Sequence, residues 1–291
     1  MGEIADALRR ADHIEPTRKE PPREPLAAEK VPPRLPPAEP EKPCVRPPQI
    51  LSRGKDDGRR AARIAITDPD GNATQQYRRL AFRTRELADA KKARSIVVTS
   101  AQLGDGKTTT ICNLAVQLAR LDRARHVILV DLDLRRPSIA ATFNLEFDIS
   151  VDDVLRGDRP LSDAILETDV EGLSILALQH ATADPEALLA QPSLRSMIRE
   201  LESQFDLVLI DTPPVLAVTD AQIILRHVSA GIFVARAGST SVKAIRRAQD
   251  LLPRRKFLGS FLNSSPDALG MMHSYSYYGE PPSNNTESPD D

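Results

Sequence analysis

Six short runs of aliphatic and β-branched residues punctuate the chain, and between them apolar positions recur at helical spacing. The runs are Ser95–Ser100, His126–Val130, Gly172–Leu178, Phe205–Ile210, Gly231–Arg236 and Phe257–Asn263. They are mostly apolar throughout rather than strictly alternating, the mark of strands buried on both faces. Helical periodicity fits Thr74–Arg85, Thr108–Leu121, Ser150–Leu155, Ser162–Glu167, Glu186–Leu189, Ser193–Leu201, Asp220–Arg226 and Ser241–Leu252. Strands alternating with helices predict right-handed crossovers and an α/β fold, one parallel sheet with helices on both faces. About 200 residues suit a single domain with one core.

That domain is drawn at residues 64–270, and the pattern changes on either side of it. Apolar residues at 4, 7, 8 and 11 predict a short amphipathic helix within residues 1–14. Residues 15–63 hold twelve of the 24 prolines between positions 16 and 48, and read as a disordered linker. Residues 271–291 are rich in Ser, Pro, Asn and Asp and read as a disordered tail. Tyr275, Tyr277 and Tyr278 lie there, three of only four tyrosines in the chain. Composition narrows the setting. A net charge of −2 and a pI near 6.3 give no bulk attraction to nucleic acid. Two cysteines, Cys44 and Cys112, are too few for a disulfide framework and predict a reducing, cytoplasmic compartment. No run of about 18 apolar residues occurs to span a membrane.

The candidate chemistry sits at the ends of the strands. After Ser95–Ser100 comes Ala101-Gln102-Leu103-Gly104-Asp105-Gly106-Lys107-Thr108-Thr109, leading into a helix. Gly104 and Gly106 let backbone N–H groups converge on phosphate oxygens at a helix N-terminus. Lys107 would reach the terminal phosphates and the Thr108 hydroxyl would ligate Mg²⁺. Ala101 stands where the full phosphate-loop pattern has its first glycine. Two further strands run into carboxylates, at Asp131-Leu132-Asp133 and at Asp211. That places acids at the carboxyl edge of a parallel sheet, beside the loop. Mg²⁺ takes one or two carboxylates plus phosphate oxygens and water, so Asp211 is a candidate to hold the metal through water. Asp131 and Asp133, two apart on extended backbone, can both face the site. The tail tyrosines are candidate acceptors of a phosphoryl group.

These motifs together resemble those of the bacterial tyrosine kinases of polysaccharide synthesis and export, the BY-kinases. The three nucleotide motifs correspond to Ala101–Thr108, to Ile128–Arg135 and to Leu207–Asp211, the last two followed by Arg136-Pro137 and Thr212-Pro213-Pro214. The resemblance spans roughly residues 64 to 278 and implies a P-loop NTPase-like fold of the MinD/ParA-like superfamily. It implies ATP and Mg²⁺ as cofactors, with Gly104, Asp105, Gly106, Lys107, Thr108 and Thr109 on the nucleotide and Asn263 at the adenine. Thr108, Asp131 and Asp211 would serve the metal, and Lys107, Asp131 and Asp133 the transfer. It implies autophosphorylation of Tyr275, Tyr277 and Tyr278 between subunits of a homo-oligomer, and further protein-tyrosine substrates. The implied activator is a membrane chain-length regulator that recruits a separate cytoplasmic subunit to the inner face of the membrane. The family's Glu-x-x-Arg-x-x-Arg assembly motif reads Gln75, Arg78, Ala81 here, with Arg83 or Arg85 available from the next turn. Two rival functions are a MinD- or ParA-like ATPase switch and a non-catalytic nucleotide-sensing adaptor of an export complex. Gln102 occupies the place of the switch proteins' signature lysine.

Overall fold

The structure, a computed structural model, describes residues 60–265. The helix expected at 1–14, the linker up to residue 59 and the three tail tyrosines lie outside the described residues. A 3₁₀ turn at Arg60–Arg63 leads into α1 (Ile64–Thr67) and α2 (Asn72–Lys91). Then come β1 (Ser95–Ser100), α3 (Lys107–Leu121), β2 (Val127–Asp131), α4 (Ile139–Phe143), α5 (Val151–Arg156) and α6 (Leu161–Ala164). The chain continues through β3 (Leu166–Glu167), β4 (Leu173–Leu176), α7 (Pro185–Leu189), α8 (Pro192–Gln204) and β5 (Leu207–Asp211). It closes with α9 (Asp220–Leu225), β6 (Ala230–Arg236), α10 (Val242–Leu251) and β7 (Phe257–Asn263).

Seven strands form one sheet in the order β3-β4-β2-β5-β1-β6-β7. All pairings are parallel except one, so the all-parallel expectation needs a correction at one edge. The helix predicted over Ser162–Glu167 stops at Ala164, and Leu166–Glu167 pair antiparallel with Ser174–Ile175. Burial decides this, because Leu166 is inserted into the core from an extended segment. The unpredicted α4 arises similarly, by burying Ile139 and Phe143 after the acidic loop.

Strand side chains alternate between two cores. Ile96, Val98, Leu129 and Leu209 face one, with Ile111, Leu114 and Leu118 of α3. Val97, Ile128, Val130, Val208 and Ile210 face the other, with Met197, Ile198 and Leu201 of α8. Both faces being covered explains why the strands read as continuous apolar runs. β1 lies between β5 and β6, and β5 separates β1 from β2. The loops that follow β1, β2 and β5 therefore meet at the carboxyl edge of the sheet, where open α/β folds bind ligands. No helix among the described residues is long and apolar enough to cross a membrane.

Candidate active site

The phosphate loop runs from the end of β1 to the first turn of α3. Gly104 and Gly106 have φ of 83° and 93°, the left-handed region. Gly104 has open space around it, so its conformation alone requires glycine. At Gly106 a Cβ would lie 1.9 Å from Asn263 Nδ2, so a close approach requires it as well. The loop is braced from three directions. Asp105 accepts the Gln102 N–H (3.0 Å) and the Thr240 hydroxyl (2.6 Å), Arg236 Nη1 donates to Gly104 O (3.1 Å), and Asn263 Nδ2 donates to Asp105 O (3.2 Å). Asp105 was expected on the nucleotide, but its carboxylate, fully buried, is a brace; only its backbone is left to meet phosphate. Asn263 likewise has its amide committed, accepting from Ser264 N–H as well. Arg236 and Thr240 had no signal in the sequence, since each is an ordinary polar residue at a strand end or turn.

Gly104, Gly106, Lys107, Thr108 and Thr109 line one side of a cavity of about 400 Å³. Behind them sit the carboxylates. β2 and β5 pair with Asp131 opposite Asp211, and both side chains are fully buried. Thr108 Oγ1 donates to Asp211 Oδ2 at 2.5 Å. Asp211 Oδ1 is buried with no hydrogen-bond partner among the described residues. Asp131 is occupied differently. Its Oδ2 accepts from Ser138 and Ile139 N–H, both at 3.0 Å, and its Oδ1 from Asp133 N–H at 3.2 Å. It thereby fixes the loop that carries Asp133, and Ser138 Oγ reaches Thr108 Oγ1 at 3.3 Å. Among the described residues, the Asp133 side chain accepts the Arg136 N–H alone, through Oδ1, at 3.1 Å.

Burial pushes the Asp131 and Asp211 carboxyls well above the ordinary carboxylate range. Their mutual repulsion adds to it at Asp131, and Lys107 opposes it at Asp211. Burial also raises Asp133, against the pull of Lys107. A buried, orphaned carboxylate oxygen beside a threonine hydroxyl suits a hard cation. Mg²⁺ fits, because it needs only one or two carboxylates and takes phosphate and water for the rest. No group of three or more His, Cys, Asp or Glu side chains gathers as a metal centre among the described residues. Replacing Asp211 by Asn removes one of two facing charges. With the folded pKa raised, the ionised form costs stability that is present in acid and lost as pH rises through the raised value. Asp211→Asn is therefore expected to stabilise the nucleotide-free domain at neutral pH by about 1 kcal/mol. The same change should abolish the Mg²⁺-dependent part of any nucleotide-induced rise in melting temperature. A thermal melt with and without Mg-ADP checks both.

A second feature joins the last residue of the second motif to a residue outside all three. Arg135 clamps Asp220 through two bonds, Nε to Oδ2 at 2.8 Å and Nη2 to Oδ1 at 3.1 Å. Asp220 opens α9 and is fully buried, so this fork ties the loop after β2 to the helix after β5. Nothing in the sequence pairs residues 85 apart. The loop 212–215 is separately fastened to β1 by Thr99 Oγ1 to Pro213 O (3.1 Å) and Thr212 Oγ1 to Val98 O (3.0 Å).

Comparison with known proteins agrees with this geometry. An AAA domain profile matches residues 93–238. Tyrosine-protein kinase YwqD of Bacillus subtilis (strain 168) is 31% identical over 218 residues, covering 74% of this chain and 90% of the relative. The chain belongs to the bacterial tyrosine-kinase family. The solved BceF tyrosine kinase domain superposes on the kinase with a TM-score of 0.64 at 32% identity, over 70% of this chain and 82% of that one. MinD of Pyrococcus horikoshii OT3, solved with Mg-ADP, follows at a TM-score of 0.52 and 29% identity, over 60% and 71%. The kinase therefore has the P-loop NTPase-like fold that the motifs implied, and a relative of that fold holds magnesium and nucleotide.

Helix α2 of the kinase carries the departing assembly motif. Gln75 and Arg78 bond to each other on its outer side (3.3 Å), but Ala81 is fully buried in the core. The third position thus faces inward, and an arginine there would be driven into apolar packing. Arg85 is no substitute, because its guanidinium is held by Asp89 (3.0 Å) and Asp122 (2.9 Å) of the same chain. Arg83 is exposed and paired with Glu86. Tyr77 is packing, as expected: it is buried, its ring centroid is 5.9 Å from that of Phe261, and burial raises its phenol pKa.

Proposed function

We propose that the kinase transfers the γ-phosphoryl group of ATP to Tyr275, Tyr277 and Tyr278, and that this autophosphorylation regulates polysaccharide synthesis or export. The observation that carries the proposal is the buried Asp211 Oδ1, without a hydrogen-bond partner among the described residues, next to Thr108 and directly behind the phosphate loop. It supports a nucleotide site that is completed by a cation, within a chain of the tyrosine-kinase family.

The loop N–H groups and Lys107 hold the β- and γ-phosphates, and Thr108 and Asp211 hold Mg²⁺. The metal, when bound, neutralises charge on the transferring phosphoryl oxygens. The tyrosine oxygen forms the new bond to phosphorus as the bond to the β-phosphate oxygen breaks, and ADP leaves. Asp133 is the better placed proton acceptor, because Asp131 has both oxygens engaged by backbone N–H groups. Asp131 contributes charge and the position of the loop. The acceptor tyrosine comes from a neighbouring copy, and a membrane chain-length regulator recruits and activates the kinase at the inner face of the membrane.

The deciding experiment is intact mass before and after incubation with Mg-ATP, for the wild-type chain and a variant with Tyr275, Tyr277 and Tyr278 all changed to Phe. Added mass in steps of about 80 Da in the wild type alone supports a tail-directed autokinase. Added mass in both moves the acceptor elsewhere. None in either, from protein that binds nucleotide, leaves two readings, a missing membrane activator or a MinD-like switch.

A further inference from the structure

One wall of the nucleotide cavity is built by the chain before the first strand. Ile64 of α1 and Ala73 and Tyr77 of α2 line it, together with Asn263 and Ser264. The phosphate-loop N–H groups take the charged end of a nucleotide. This mostly apolar wall is what remains for the sugar and base. The segment is bound to the phosphate-loop helix by specific contacts. Asn113, buried in α3, accepts the Ala65 N–H (2.8 Å) and donates to Thr109 O (2.8 Å). Arg120 Nη1 donates to Ala65 O (2.6 Å), and within the segment itself Thr74 Oγ1 donates to Asp68 O (2.6 Å). A single asparagine thus joins the first turn after the phosphate loop to the root of the N-terminal extension.

We propose that Ile64 packs against the base of the bound nucleotide and that Asn113 positions it there. This rests on the nucleotide reading above. The extension before residue 64 is then linked to the site: whatever displaces α1 weakens nucleotide binding, and nucleotide holds α1 in place by the same factor. Ile64 touches the base, whereas Asn113 acts through α1 and is a positioning residue.

The test uses the full chain and two probes, Mg-ADP and Mg-pyrophosphate, titrated by calorimetry. Ile64→Ala is expected to weaken Mg-ADP by about three- to tenfold, as loss of part of an apolar contact implies, and to leave Mg-pyrophosphate unchanged. Ile64→Val should restore most of the Mg-ADP affinity. Amide hydrogen exchange over residues 62–67 should slow with Mg-ADP and not with Mg-pyrophosphate, and Asn113→Ala should remove that difference. Unchanged Mg-ADP affinity in Ile64→Ala overturns the proposal while leaving the nucleotide site standing. An equal loss for both probes also overturns it, because the phosphate end would then be disturbed too. A wild-type chain that binds neither probe removes the nucleotide reading, and this inference with it.

Discussion

Lys107→Met is expected to lower phosphotyrosine formation by roughly 10²–10³-fold at saturating Mg-ATP, with the fold retained. Lys107 opens α3, lines the cavity and is only 6% exposed. Its charge is already felt by Asp133 and Asp211, which places it among the acids. Methionine keeps the aliphatic stem and removes only the positive charge that would meet the transferring phosphoryl group. Phosphoryl transfer of this kind depends on positioning and charge stabilisation, so the loss should fall on the transfer step. Single-turnover phosphorylation followed with an anti-phosphotyrosine probe checks it, beside circular dichroism of the variant. Full transfer by a folded Lys107→Met chain would remove this lysine from the chemistry.

The Arg135–Asp220 clamp gives the second large effect, and it should be asymmetric. Asp220 is fully buried, while Arg135 is 37% exposed in its side chain. Arg135→Ala strands a carboxylate in the interior at a cost of about 3 kcal/mol. Asp220→Ala leaves a guanidinium that can turn to water, and should cost clearly less. The double variant should recover part of the Arg135→Ala loss, because no buried charge is then left alone. Urea unfolding of the three variants measures this. A cost under about 1 kcal/mol for Arg135→Ala would mean that the fork holds the loops no better than a surface pair does.

Most of the fold was legible in the sequence because its central strands are buried on both faces. Ser95–Ser100 was bounded to the residue, since a central strand buried along its whole length accommodates so dense an apolar run; Phe257–Asn263 was bounded as well, although it is an edge strand with no fully buried residue. The phosphate loop and the acids after β2 and β5 were legible for a related reason: their chemistry is tied to strand ends. What was missed depends on contacts between distant segments. Leu166 reads as the end of a helix until the core that takes it is seen. Asp105 reads as a ligand, although its carboxylate turns back to Gln102 and Thr240. Ala81 reads as a missing contact with a neighbour, yet its place in the helix faces inward. The Arg135–Asp220 fork, and the wall made by Ile64, join residues whose separation carries no local pattern.

The bracing of the phosphate loop by Asn263, which donates to Asp105 O and lies against Gly106, has a consequence for biosynthesis. Asn263 and the loop lie more than 150 positions apart, and the loop is shaped against the last strand of the described residues. A nascent chain that has emerged only as far as β6 holds every acid of the site but not this support. Competence to bind nucleotide would then arrive late in translation, after β7 has left the ribosome and just before Tyr275, Tyr277 and Tyr278 follow. Chains stalled or proteolytically clipped ahead of residue 263 should be unable to consume ATP, so incomplete kinase would be inert rather than misregulated.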